Sequence, residues 1–202
     1  SFFPESFIIY KPKDVVSGDF YWLYDSDDKI FFAVVDCTGH GVPGALMSVM
    51  GFAFLRKALH DSINLTPADI LTHLSIEINS TLRKTDKENN VKDGMDVALC
   101  ALNKNTLELE YAGAHNPVFI FRDNEFIKLK PDNHPIGDPF NEAFNGFNNT
   151  KFQLFKNDIL YLFTDGLVDQ FGGLKEHKYS AKQFEQLIKS NSNLTFMSQK
   201  SI

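Results

Sequence analysis

The sequence predicts an α+β fold built on antiparallel sheets. Three observations predict it. Short apolar and aromatic runs dominate the first 40 residues, two helical periods follow, and short runs return after residue 95. Strands first, then paired helices, then strands again do not form the alternation that a parallel βαβ sheet needs. The 202 residues suit one large domain. A chain of that length buries enough surface to hold a core without staples, and twenty Phe residues promise a bulky one.

The elements justify this in order. Phe7–Tyr10 is a short apolar run, and Phe20–Tyr24 is aromatic, which favours strand. Asp25-Ser26-Asp27-Asp28 is a turn cluster. Ile30–Val35 is continuous and apolar and reads as a strand buried on both faces. From Val42, apolar residues fall at Ala45, Leu46, Val49, Met50 and Ala53, a helical period. A second helix opens at Thr66-Pro67-Ala68-Asp69, with a capping hydroxyl, Pro at the first helical position and an acid in the first turn. Its inner face is Ile70, Leu71, Leu74, Ile78 and Leu82, and Lys84–Asp93 is a charged link. Val97–Leu102, Leu107–Tyr111, Val118–Phe121 and Phe126–Leu129 then read as strands separated by turn residues. Asp138–Asn149 is a polar loop, Phe152–Phe155 and Ile159–Phe163 are two further strands, and Ser180 caps a short helix with Phe184, Leu187 and Ile188.

Charge and composition narrow the function. The net charge, 20 − 26 = −6, argues against a nucleic-acid backbone as the main partner. Cys37 and Cys100 give neither a disulfide framework nor a zinc spacing, and they fit a reducing, cytoplasmic setting. The longest apolar stretch, Ala45–Leu55, is broken by Ser48 and Gly51 and reads as a core helix. Ser1-Phe2-Phe3-Pro4 lacks the basic start of a signal peptide, and no Met opens the chain. We therefore expect one domain, 1–202, cut from a longer protein.

Acids carry the chemical signal. Phe31–Val35 runs straight into Asp36-Cys37-Thr38-Gly39-His40-Gly41, and Leu160–Phe163 runs into Thr164-Asp165-Gly166. A carboxylate at the end of a buried strand is costly unless it is paired or bound to a cation. Asp19 in Ser17-Gly18-Asp19 and Asp96 in Gly94-Met95-Asp96 sit just before strands. One such Asp is most often a turn former or a cap, but here the pattern repeats with similar flanks. Carboxylates without a Cys/His quartet select a hard cation, Mg²⁺ or Mn²⁺. Two such ions sharing one carboxylate activate a water and clamp phosphoryl oxygens, which is the chemistry of phosphate-ester hydrolysis.

The residues resemble those of the metal-dependent serine/threonine protein phosphatases, the PPM family, in its bacterial branch typified by stage II sporulation protein E. The resemblance rests on Lys11–Trp22, Val35–Ala45, Gly94–Ala98, Ala112–Pro117, Pro135-Ile136-Gly137 and Thr164–Gln170, six blocks in family order. It implies two packed antiparallel sheets flanked by helix pairs, in α-β-β-α layers, with the C-terminal part missing. It implies two ions, Mn²⁺ or Mg²⁺, in the complete domain, with Asp36 bridging, Asp19 and the Cys37 carbonyl on the first and Asp165 on the second. Asp96, Thr38, Gly18 and Gly39 would support these ligands. The implied reaction is hydrolysis of phosphoserine or phosphothreonine by the bridging water, with no phosphoenzyme. The implied partners are a phosphorylated regulatory protein of the anti-sigma antagonist kind, an upstream sensory domain in the same chain and a second copy in a homodimer, with no nucleic acid. The setting is the cytoplasm, and the parent protein is compatible with membrane attachment. Residues 42–59 and 66–84 resemble regulatory switch helices.

Three departures from the family pattern stand out. No acidic pair entering a final strand occurs before Ile202, which leaves the second ion one ligand short. The alternative expectation is therefore a weak or inactive phosphatase-fold module that signals by binding. Thr38 stands where eukaryotic members place an acid His, so that role is not carried to His40. The polar segment Gly172–His177 has no legible role. His115-Asn116-Pro117 reads as a structural turn, Asp14 and Asp169 as caps or turn residues, and Lys13 as solvated. His60, His73, His134 and His177 show no ligand spacing.

Overall fold

A computed structural model gives the arrangement of the chain. It describes residues 3, 5–61, 65–85, 93–137, 144–172, 177–191, 194 and 196–200. The elements run β1 (Phe20–Asp25), β2 (Lys29–Cys37), α1 (Gly41–Asp61), α2 (Pro67–Thr85), β3 (Met95–Asn103), β4 (Glu108–Ala114), β5 (Val118–Arg122), β6 (Glu125–Leu129), β7 (Thr150–Gln153) and β8 (Ile159–Tyr161). They continue with α3 (Asp165–Val168), β9 (Phe171–Gly172), β10 (His177–Lys178), α4 (Ala181–Asn191) and α5 (Phe196–Lys200).

Two antiparallel sheets hold the frame. The larger has the order β1-β2-β3-β4-β7 and the smaller β6-β5-β8, with a two-stranded β9–β10 ribbon beside them. Alternation along the strands divides the large sheet's side chains between two cores. Phe31, Ala33, Val35, Val97, Leu99, Ala101, Ala112 and Ala114 pack against Leu55, Leu59, Ile70, Leu71, Leu74 and Ile78 of α1 and α2. Phe32, Ala98, Cys100, Leu109 and Tyr111 pack against Val118, Ile120, Leu129 and Leu160 of the small sheet. Beyond the small sheet, Phe184 of α4 meets Phe163 at 4.6 Å between ring centroids and Tyr161 at 5.9 Å. The layers are helix, sheet, sheet, helix, as expected.

Local chemistry explains the element ends. Asp69 and Thr66 cap α2 reciprocally: the Asp69 amide donates to Thr66 Oγ1 at 3.2 Å, and the Thr66 amide donates to Asp69 Oδ2 at 2.9 Å. Ser180 and Gln183 do the same for α4.

Some expectations need correction. Residues 7–10 form no strand. β2 is deeply buried on its helix-facing side, but Phe32, Val34 and Asp36 on the other side are only partly covered. α1 presents a different face from the one its period suggests: Val42, Leu46 and Val49 are more than 60% exposed, and Met47, Leu55, Ala58 and Leu59 are buried. Two glycines decide this. A Cβ on Gly51 would stand 2.9 Å from the Met95 side chain, and one on Gly44 2.5 Å from the Gly39 carbonyl, so α1 sits down on its glycine side. Gly41–Leu59 is also long and apolar enough to cross a membrane by length and composition, more than Ala45–Leu55 suggested. The charged link and the polar loop fall partly outside the described residues, at 86–92 and 138–143, and Gly172–His177 does so at 173–176.

Candidate metal centre

The register of the large sheet builds the site. Phe20 pairs with Val35, so one step further Asp19 faces Asp36. Asp36 pairs with Asp96. Val97 pairs with Ala114, so Asp96 faces His115. Asp36 and Asp96 alternate with residues of the helix-side core, so their side chains lie on the face turned to the small sheet. One row, Asp19–Asp36–Asp96–His115, thus crosses four strand ends. Asp165 reaches it from the small sheet, at the start of α3 just past β8.

Asp36 hydrogen-bonds to both Asp19 and Asp165. Like charges facing one another across strands repel, and burial adds to the cost. The Asp36 carboxyl is accordingly pushed up from 3.8 to about 8, first by burial and then by Asp19 and Asp165. Asp96 is also raised, by burial, against the opposing pull of His115. Thr164 precedes α3 but does not cap it. Its hydroxyl instead donates to Asp19 Oδ2 at 2.7 Å, linking the two sheets.

The glycine-rich blocks hold this row in place. A Cβ on Gly18 would stand 2.9 Å from the Gly39 carbonyl and 3.1 Å from the Cys37 carbonyl. The backbone before Asp19 therefore lies directly on the backbone after Asp36, with the Cys37 carbonyl against Gly18. Gly39 takes φ +89°, a conformation that favours glycine. The Thr38 amide donates to the Gly94 carbonyl at 2.9 Å, and the Gly94 amide donates to Thr38 Oγ1 at 3.1 Å. That exchange ties the loop after β2 to the start of β3. Met95 and Ile136 exchange backbone hydrogen bonds at 3.1 and 2.8 Å, which gives the Pro135-Ile136-Gly137 block its task. Cys37 is buried, and burial first, then Asp36 and Asp19, push its thiol up to about 12, so it is an inert core residue.

The donor set suits a hard divalent cation: carboxylate oxygens beside a backbone carbonyl, without sulfur. Among the described residues no three acidic, His or Cys side chains stand as a formed ion cage. The three aspartates lean on one another instead, with Asp36 protonated below about pH 8. Asp19, Asp36, Asp165 and the Cys37 carbonyl would hold such a cation, whose charge would offset the repulsion that, after burial, raises Asp36.

The structure brings Asp19, Asp36 and Asp165 into one cluster, with Asp96, Thr38, Gly18, Gly39 and the Cys37 carbonyl around them. His40 lies apart from it, with Nδ1 3.0 Å from Asp14 Oδ2. His134 packs on Phe144 and Phe147. The side chains of His60 and His177 lie outside the described residues. Two site residues were missed. Thr164 gave one signal, a hydroxyl beside a strand-end acid. His115 lay in the Ala112–Pro117 block but read as a turn residue, because only strand register puts it opposite Asp96, where Nδ1 lies 3.1 Å from Oδ1.

Two facing antiparallel sheets between helix layers, with an acidic cluster at one end, form the fold of the PPM, or PP2C, class. The chain belongs to the stage II sporulation protein E (SpoIIE) family, whose model matches residues 26–200. It is similar to the phosphoserine phosphatase RsbU of Bacillus subtilis, 28% identical over 167 residues. That match covers 78% of this chain and 44% of the relative, so the chain spans less than half of that protein's length. Among solved structures it is similar to the SiaA-PP2C domain of Pseudomonas aeruginosa, 30% identical with a TM-score of 0.84, covering 96% of this chain and 74% of the other. The PP2C domain of SpoIIE from Bacillus subtilis shares the fold, with a TM-score of 0.68 at 22% identity, over 87% of this chain and 48% of the other.

Proposed function

We propose that the domain hydrolyses phosphoserine or phosphothreonine on a regulatory protein, by direct attack of water and without a phosphoenzyme. One observation carries the reading: three aspartates from three distant segments meet on the inter-sheet face, where burial first and then the charges of Asp19 and Asp165 raise the Asp36 carboxyl to about 8. Asp36 would bridge two Mn²⁺ or Mg²⁺ ions, Asp19 and the Cys37 carbonyl would hold one, and Asp165 the other. Bound there, the ions would supply an activated water and neutralise phosphoryl charge. The chain's own residues do the rest. Thr164 fixes the Asp19 carboxylate by its hydrogen bond. Thr38 locks the loop that carries the Cys37 carbonyl. The SpoIIE family and the similarity to the phosphoserine phosphatase RsbU support phosphoserine as the substrate class. As the partner we propose a regulatory protein, of the anti-sigma antagonist kind. We place the domain in the cytoplasm, as one part of a longer signalling protein.

Phosphate release from a phosphoseryl protein and from p-nitrophenyl phosphate, measured with Mn²⁺ and then with excess chelator, tests this. Turnover that needs the metal and disappears in Asp36→Asn is expected. No metal-dependent turnover of either substrate would overturn the proposal.

A further inference from the structure

We propose that His115, held by Asp96, is the acid that protonates the seryl oxygen as it leaves phosphorus. This rests on the phosphatase reading above and adds a residue to it.

Four observations support it. His115 ends the row Asp19–Asp36–Asp96–His115, on the face where the aspartates meet. Its Nδ1 lies 3.1 Å from Asp96 Oδ1, and Asp96 in turn feels the charge of Asp165. A carboxylate at Nδ1 orients the ring, and Nε2 donates a proton from the imidazolium form. Nε2 has no hydrogen-bond partner among the described residues, and the side chain is 36% exposed. Finally, His115 has φ +55°, a left-handed backbone uncommon for a residue with a side chain.

That conformation is held from both sides. The His115 amide donates to the Asp132 carbonyl at 3.0 Å, and the buried Tyr111 hydroxyl donates to the Asn116 carbonyl at 2.7 Å. Strain of this kind persists where the surroundings over-determine it and is concentrated at working sites. The charged groups around the ring are Asp96 on β3, Asp165 beyond it and Asp132 behind. The Asp132 carboxylate is taken up by the amide and side chain of Asn148.

The step balances. The water oxygen bonds to phosphorus and its proton leaves to solvent. The P–Oγ bond breaks, and the Nε2 proton of His115 passes to Oγ. The products are serine and hydrogen phosphate, and solvent reprotonates the imidazole.

Leaving-group dependence separates this role from a structural one. Seryl alkoxide is a poor leaving group and needs the proton, whereas p-nitrophenolate leaves without one at neutral pH. His115→Asn is the variant of choice, because Asn tolerates left-handed φ. We expect kcat on a phosphoseryl protein to fall about 100-fold, within the range of general acid catalysis. We expect kcat on p-nitrophenyl phosphate to change by less than about threefold. Mn²⁺ affinity by calorimetry should be unchanged. His115→Gln repeats the comparison with a longer side chain, so a folding defect in one variant does not decide it. Equal losses on both substrates, or weakened Mn²⁺ binding, would overturn the assignment. Failure of the phosphatase reading looks different: the unaltered chain would then turn over neither substrate.

Discussion

Asp36 is the residue on which the most forces meet. Its carboxyl is ordinarily half-protonated at pH 3.8 but in the fold only at about 8, chiefly through burial and then through Asp19 and Asp165. Between these values the native chain holds a proton that the unfolded chain has shed. Stability of the metal-free protein therefore falls as pH rises through that window, and levels off above it. Thermal melts in chelator at pH 5 and pH 8 should show the lower Tm at pH 8. Asp36→Asn removes the buried acid, so its metal-free Tm at pH 8 should exceed that of the unaltered chain by roughly 2–4 °C, about 1 kcal/mol. The same variant should show no rise in Tm when Mn²⁺ is added. Thr164→Val deletes the hydroxyl that reaches Asp19. It should cost about 1 kcal/mol in urea titration and weaken Mn²⁺ binding in calorimetry.

At the scale of elements, α1 shows how a sequence period can mislead. Val42, Leu46, Val49 and Ala53 form an apolar stripe as regular as any core face, yet these residues are exposed. The partner sheet accepts the opposite side, where Gly44 and Gly51 allow close approach. Leu55→Ala, at a fully buried position, should cost about 2–5 kcal/mol. Leu46→Gln on the exposed stripe should stay within roughly 0.5 kcal/mol. Urea titration of both variants checks which face is the core, and reversed costs would reject the packing described above. α2 offers the contrast. Its capping pair and its Ile70–Leu71–Leu74–Ile78 face were legible in the sequence, because cap, Pro and period all agree.

Over the whole molecule, the five-stranded sheet serves two cores at once and carries the acids at one end of its inter-sheet face. That placement ties separate segments together: β1 through Asp19, β2 through Asp36 and the small sheet through Asp165. A cation bound by all three binds only the folded chain. Saturation at 100 times Kd should stabilise it by about 2.7 kcal/mol, a rise in Tm of roughly 5–10 °C. Chelator should reverse the rise, and at one fixed Mn²⁺ concentration the gain should be larger at pH 8 than at pH 5, because bound metal must first displace the Asp36 proton. Equal gains at both pH values would mean that the ion sits away from Asp36.

By itself, the sequence determined the α+β class, the order of the strands, the capped second helix and the acids at strand ends. These are local properties, written in periods of two and 3.6 residues and in the chemistry of single side chains. Only the tertiary structure decided which acids face one another, because register between strands depends on pairings as far apart as Lys29 and Asn103. It alone chose the buried side of α1, since two apolar faces compete and shape at the sheet selects between them. It alone placed His115 opposite Asp96: the turn at His115-Asn116-Pro117 was legible, but its left-handed form, fixed by Tyr111 and Asp132, was not.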